Sequence, residues 1–217
     1  MAIERQEVAG IREDYLKDSF DEKQALANPI EQFNVWFDEA IRAEVNEPTA
    51  MTLATVDDQQ RPHARIVLLK DIKPEGFSFF TNYGSAKGHQ MEKNSFVSLL
   101  FFWSELQRQV RITGKIEKLP KQESDQYFQS RPRGSQIGAV ASPQSQVIPD
   151  RAFLENRVKA VDEQFIDAEK ITRPEYWGGY LVRPVAFEFW QGRASRLHDR
   201  VKYVSDEGNW IKERLAP

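Results

Sequence analysis

Hydrophobic positions along this chain change their period near residue 50. Before it, Ile30, Phe33, Trp36, Phe37 and Ile41 recur three and four apart, the stripe of an amphipathic helix. Asn28 suits an N-cap and Pro29 the first helical position, so this helix should run to about Val45. Residues 3–18 carry Ile3, Val8, Ile11 and Tyr15 among charges, a looser helical pattern, and a polar stretch, Asp18–Ala27, follows. From residue 50 onward, alternation predicts strands at Met51–Val56, His63–Lys70, Phe77–Asn82, Ser95–Trp103, Gln107–Leu119, Gly179–Phe187, Val201–Val204 and Asn209–Arg214. Helices are expected over Ser85–Lys93, with Ser85 as its cap, over Lys121–Ser130, ending before Pro132, and from Pro149-Asp150 to about Ala168.

Strands joined by short turns, with helices at the start and in one insertion, predict a mainly β (α+β) fold, an antiparallel barrel with helices packed outside. The expected organisation is a helical segment over residues 1–48 packing on a barrel domain over 49–217, with the helical insertion at about 120–170. No GxGxxG or Walker loop is present, so nucleotide binding by those routes is not expected.

Composition narrows the chemistry. The chain has 217 residues, a formal charge of −3 and no cysteine, which excludes disulfides, thiolate catalysis and cysteine-ligated metals. Three separated histidines, His63, His89 and His198, contain no ligand pair at helical spacing, so no metal site is expected. The negative balance gives no global reason for nucleic-acid binding, and an anion site must be local. No apolar run suits a membrane span and Met1–Glu7 lacks a signal-peptide hydrophobic region, so a cytoplasmic protein is expected.

Five segments concentrate candidate chemistry. Phe189–Arg200 holds Arg193, Arg196 and Arg200 with Trp190, His198 and Asp199. If extended, Arg196, His198 and Arg200 share one face, suited either to an anionic planar ligand or to a basic edge strand that resists aggregation. Arg65 and Lys70 bracket an apolar run; their odd spacing would send them to opposite faces of a flat strand. Phe80–Gly88 is a strand, a turn and a helix start carrying Ser85 and Lys87, which fits a phosphate site or a plain cap. Tyr127 and Arg131 are helix-face neighbours, with Ser135 across a Pro/Gly-containing bend: a phosphate clamp or a solvated junction. Gln144-Ser145 lies in a polar loop between prolines and alone says almost nothing.

In order and spacing, these segments resemble the pyridoxine (pyridoxamine) 5′-phosphate oxidase family over nearly the whole chain, from Arg12-Glu13-Asp14-Tyr15 to Arg214-Leu215-Ala216-Pro217. The most specific pieces are Arg65-Ile-Val-Leu-Leu-Lys70, Ser130-Arg-Pro-Arg-Gly-Ser-Gln-Ile-Gly-Ala139, Glu188-Phe-Trp-Gln-Gly192 and Arg196-Leu-His-Asp-Arg200. The resemblance implies an FMN-binding split β-barrel of antiparallel Greek-key type, working as a homodimer with flavin at the subunit interface. It implies that Arg65, Ile66, Val67, Leu68, Lys70 and Lys87 hold FMN, with Phe80, Thr81 and Gln109 along its ring and ribityl chain. Gln144 and Ser145 would complete that site from the partner subunit, with Trp190 and Arg200. The substrate phosphate would meet Lys70, Tyr127, Arg131 and Ser135; Arg196, Leu197 and His198 would meet the substrate's ring, and Arg12 and Tyr15 would close over it. Arg193 is left without a role and reads as solvated.

Two departures stand out: Ala86 replaces a common basic residue, removing one flavin-phosphate contact, and Phe80 replaces a frequent tyrosine. The implied reaction oxidises the C4′ amine or alcohol of a phosphorylated B6 vitamer to the aldehyde, with dioxygen reduced to hydrogen peroxide. Arg196 and His198 are the candidate catalytic pair, chiefly by orientation. The competing classes are a flavin reductase on the same fold and a non-enzymatic binder of FMN or pyridoxal phosphate.

Overall fold

The computed structural model describes residues 14–217, which hold nine β-strands and five α-helices. They fall into two compact units: Met1–Pro48 (as far as described) with Leu100–Ile112 and Ala186–Pro217, and Thr49–Leu99 with Thr113–Val185.

In the first unit, helix α1 (Pro29–Arg42) starts where the chemistry dictates, with the Asn28 side chain accepting from Ile30 N–H at 2.9 Å and proline in its first turn. It ends three residues short of the expected Val45. Its buried face sets Phe33 against Phe101 (centroids 5.0 Å apart) and Trp36 edge-on to Phe189 (5.2 Å). Full burial of each such side chain contributes about 1.5–3 kcal/mol. Strand β8 (Asp199–Asp206) pairs with β9 (Asn209–Leu215) and with the distal half of β7 (Trp177–Gln191), register Gln191↔Asp199 through Ala186↔Val204. The helix expected over 3–18 lies outside the described residues except for 14–18, which are not helical.

In the second unit the strand order is β2-β1-β5-β6-β7-β4-β3, with β1 Ala50–Val56, β2 Pro62–Leu68, β3 Asp71–Lys73, β4 Gly76–Asn82, β5 Phe96–Trp103 and β6 Arg108–Lys118. Strands β5, β6 and β7 divide between the two units. β1 alternates strictly, burying Met51, Leu53 and Thr55. Helix α2 (Ala86–Lys93) is capped by the Ser85 hydroxyl, which accepts from Gly88 N–H at 3.3 Å. Helix α3 spans Lys121–Ser130 as expected, and Asp150 caps α5 (Arg151–Gln164) by accepting from Phe153 N–H at 2.7 Å.

Strand β3 has no counterpart among the expected strands, and two further elements differ from expectation. The bend after Pro132 is a helix, α4 (Arg133–Ala141), which buries Gln136, Ile137 and Ala141. The Gln136 amide donates to the Arg131 carbonyl at 2.8 Å and to Gln129 at 3.3 Å, tying α4 to the end of α3. Strand β7 is longer at both ends than Gly179–Phe187, and its first residue, Trp177, joins Phe128, Ile137 and Ile171 in a buried cluster.

Candidate functional site

The second unit holds a cavity of about 500 Å³ that gathers most of the residues the sequence singles out. The apolar end of β2 gives Ile66, Val67 and Leu68; Lys70, Phe80, Thr81 and Lys87 follow from the next segments. Helices α3 and α4 add Tyr127, Arg131 and Ser135, and the loop after α4 adds Gln144. The parity argument for Arg65 and Lys70 fails because β2 stops at Leu68. Lys70 is already off the strand, its N–H donating to the Ser78 carbonyl at 2.9 Å. Arg65 stays on β2 and donates to Thr55 Oγ1 (2.5 Å), the Leu53 carbonyl (3.2 Å) and Gln90 Oε1 (2.9 Å).

Among the described residues no carboxylate lines the cavity, yet Lys70, Lys87 and Arg131 do. Among the described residues Lys87 Nζ has only neutral acceptors, Thr81 Oγ1 at 3.3 Å, Gln144 Oε1 at 3.2 Å and Ser85 Oγ at 3.5 Å. Burial, then the charge of Arg65, holds its ammonium below the ordinary lysine range. Burial likewise lowers Arg131, and its Nη1 is buried with no hydrogen-bond partner. The Tyr127 phenol is pushed up by burial and so stays a donor. Partly buried cations without counter-charges among the described residues favour anions, and the α2 N-terminus beside Lys87 adds backbone N–H groups. This donor chemistry fits a phosphate-bearing group such as a flavin mononucleotide. Ser145, with a positive φ of 71°, is exposed beside Gln144 and does not line the cavity.

Aromatic rings form one wall. Phe80 stacks on Tyr127 (3.8 Å between centroids), and Tyr127 lies parallel to Trp177 (6.2 Å, 3°). Gly179 is required here, since a Cβ on it would meet the Phe80 ring at 2.7 Å. Trp177 was missed by the sequence reasoning; the signal available was the Gly178-Gly179 pair, room left for a neighbouring ring.

The first unit carries the other candidates, on the turn between β7 and β8. Arg196–His198 is not an extended strand: Ser195 (φ 56°) and Arg196 (φ 62°) are left-handed, and β8 begins only at Asp199. The alternation that put Arg196, His198 and Arg200 on one face therefore does not apply. Arg193 N–H donates to His198 Nδ1 at 3.1 Å, and the His198 ring packs on Trp190 (4.6 Å) and Tyr15 (5.9 Å). Burial, then Arg196 and Arg200, depresses the imidazole's pKa. Arg196 and Leu197 are exposed, and Arg196 forms no ion pair among the described residues. Arg193 is not a solvated bystander: its Nη1 pairs at 3.0 Å with buried Asp199, which also binds Arg214 and accepts from Phe20 N–H at 3.0 Å.

Arg200 directs Nε and Nη2 at Glu188 (2.9 and 2.8 Å) and Nη1 at the Ala216 carbonyl (2.8 Å). Its register partner across the strands is Trp190. Gln109 is half-buried on β6 in this unit. Tyr15 sits against Gly192, where a Cβ would come within 2.8 Å of its ring; Arg12 lies outside the described residues. Glu188, Asp199 and Gln107 were not singled out for roles, although Gln107 accepts from Leu16 and Lys17 N–H at 3.1 and 3.3 Å.

Comparison with known proteins gives one family. The model described as pyridoxamine 5′-phosphate oxidase matches residues 37–165, and that of the pyridoxine 5′-phosphate oxidase C-terminal dimerisation region matches 177–217. A pyridoxine/pyridoxamine 5′-phosphate oxidase of Neisseria gonorrhoeae is 53% identical over 95% of this chain and 98% of its own length. One from Pseudomonas savastanoi pv. phaseolicola is 51% identical over 98% and 99%. Among solved structures, PhzG from Burkholderia lata in complex with tetrahydrophenazine-1-carboxylic acid has a TM-score of 0.85 at 28% identity, covering 90% of this chain and 96% of its own. A pyridoxamine 5′-phosphate oxidase-related, FMN binding protein from Nostoc punctiforme shares the fold at 16% identity, with a TM-score of 0.69 over 88% of this chain and 98% of its own. The mainly antiparallel split-barrel fold expected from the sequence is thus the one observed.

Proposed function

The chain belongs to the pyridoxamine 5′-phosphate oxidase family, and from that premise we propose that it is an FMN-dependent oxidase producing pyridoxal 5′-phosphate. Its substrates are pyridoxamine 5′-phosphate and pyridoxine 5′-phosphate, it works as a homodimer, and it resides in the cytoplasm. The observation that carries this reading is a cavity lined by Lys70, Lys87 and Arg131, with Arg65 acting on Lys87 and no carboxylate among the described lining residues. A flavin mononucleotide and a phosphorylated vitamer bring one phosphate each. The match of residues 177–217 to a dimerisation region supports the homodimer, and no helix among the described residues is long and apolar enough to cross a membrane.

Overall, the amine substrate with water and dioxygen yields aldehyde, ammonia and hydrogen peroxide; the alcohol with dioxygen yields aldehyde and hydrogen peroxide. Bound FMN supplies the two-electron acceptor that dioxygen reoxidises. The chain's own work is binding and orientation. Arg65 and Lys87 hold the flavin phosphate, and Ile66, Val67, Leu68, Phe80 and Thr81 border the flavin, with Gln109, Gln144, Ser145, Trp190 and Arg200 as its further contacts. Lys70, Tyr127, Arg131 and Ser135 hold the substrate phosphate, a remote anchor that positions the reacting carbon. Arg12 and Tyr15 cover the substrate, and Arg196, Leu197 and His198 meet its ring.

The geometry sharpens the role of His198. With Nδ1 accepting from Arg193 and protonation disfavoured, the neutral ring carries its proton on Nε2. It then presents a donor to the substrate's ring and does not accept a proton there. This supports orientation as its contribution.

The test is purification, inspection for yellow colour, and oxygen uptake with each phosphorylated vitamer in the absence of NAD(P)H. Uptake with either vitamer, with peroxide formed, supports the reading. Uptake that requires NAD(P)H would instead identify a flavin reductase, and bound flavin without turnover a binder.

A further inference from the structure

Arg131 poses a question its assigned role leaves open. A guanidinium with a buried nitrogen on a flexible stem is ordinarily held in place by a carboxylate, and none lines this cavity among the described residues. What holds it is an indole: its Cζ lies 4.6 Å from the centroid of Trp177, with Phe128 farther away at 5.8 Å. We propose that Trp177 is a positioning residue for substrate binding, a π platform that fixes the Arg131 guanidinium while leaving its charge and its in-plane donors free for the phosphate. The inference rests on the assignment of the substrate phosphate to Arg131.

The physical argument concerns what each kind of anchor consumes. A carboxylate would take two N–H donors and cancel the charge, leaving little for a ligand. An aromatic face attracts the cation through its quadrupole and engages only the flat side of the guanidinium. The buried, unpartnered Nη1 is the signature of that arrangement: a donor kept dry and unspent. Tryptophan is the strongest ring for the purpose.

The platform is itself held rigidly. Phe80 and Tyr127 lie nearly parallel to the indole, and Phe128 packs edge-on to it at 5.3 Å. Arg173, with its side chain almost fully buried, donates to the Trp177 carbonyl and pairs through Nε with Asp125 on α3 at 2.6 Å. The indole is thereby tied to the helix that carries Tyr127 and leads to Arg131, so ring and guanidinium share one frame.

The experiment is a double-mutant cycle on FMN-saturated enzyme, reading kcat and KM for pyridoxamine 5′-phosphate in Trp177→Leu, Trp177→Phe, Arg131→Ala and the double variants. Trp177→Leu should raise KM by about 2- to 30-fold with kcat little changed, and Trp177→Phe should recover part of the loss. In the Arg131→Ala background each substitution should raise KM much less than it does with Arg131 present, because the platform then has no guanidinium to hold. If Arg131→Ala leaves KM unchanged, the phosphate sits elsewhere and the underlying assignment falls, taking the proposal with it. If Arg131→Ala raises KM but the Trp177 effect is the same with and without Arg131, only the proposal falls and Trp177 is packing. Should Trp177→Leu not fold, the phenylalanine cycle decides by the same criterion.

Discussion

Arg108 offers the sharpest test of how the first unit is held together. Its side chain is 8% exposed, stacks over Trp36 at 4.5 Å, and meets three groups: Glu39, Asp18 at 2.8 Å and Gln191 Oε1 at 2.8 Å. Replacing it by methionine keeps much of the stem's volume and removes all three polar contacts. Asp18 and Glu39 have side chains 53% and 38% exposed, so each rehydrates and each lost ion pair costs about 0.2–1 kcal/mol after solvent screening. Gln191 is fully buried; its stranded oxygen costs about 1–3 kcal/mol. Losing the contact with Trp36 adds roughly 0.5–2 kcal/mol, and methionine packing offsets part of the sum. The net expectation is a loss of about 2–5 kcal/mol, or roughly 5–15 °C in Tm for a chain of this length. The measurement is urea unfolding at fixed protein and FMN concentration, since both shift apparent stability. Double-mutant cycles should rank the Arg108–Gln191 coupling above Arg108–Asp18. A loss below about 1 kcal/mol, or the reverse ranking, would refute the argument that the buried neutral partner outweighs the exposed charged ones.

Other expectations follow from the β7–β8 turn. Arg196→Met should lower kcat much more than FMN content; full turnover on the phosphorylated substrate would remove its assigned role. Gly192→Ala pushes a methyl into the Tyr15 ring, so KM should rise while the flavin absorbance of the purified protein is unchanged. His198, with its pKa depressed in the folded state, should titrate in NMR below the ordinary histidine midpoint of about 6.5. The sign follows: the unfolded chain takes up this proton first, so the stability linked to His198 is present above the unfolded pKa and is lost as pH falls through the folded one. A midpoint at or above the ordinary value would contradict the packing described for the ring.

The elements legible in the sequence are those specified locally. Asn28, Ser85 and Asp150 announce helix starts because a cap is a contact between near neighbours. The alternation of β1 is visible because one face is dry and the other is not. Helix α4 was illegible for the complementary reason: Gly134 and Gly138 argue against a helix, and burial of Ile137 against Phe128 and Trp177 overrides them. The left-handed Ser195 and Arg196 could not be read either, since their conformation belongs to a turn closed by the Arg193–His198 and Arg193–Asp199 contacts. Arg65 and Lys70 were recognisable as a pair, but the spacing rule applied to them assumed that the strand continued. Most of the candidate cavity was recovered from motif order, whereas Trp177 acts through partners about 50 to 100 positions away in sequence.

The lack of carboxylates among the described lining residues has a consequence beyond recognition. A protein that partly buries Lys87 and Arg131 without counter-charges among the described residues is a less than complete electrostatic object on its own. Any anion that enters contributes to holding the fold, by mass action, in proportion to its concentration over its dissociation constant. The supply of flavin and vitamer phosphates thus becomes a variable in this protein's folding equilibrium and in its turnover. The same logic reaches the bench, where phosphate or sulfate in a buffer is a competitor for the site and a stabiliser of the chain at once.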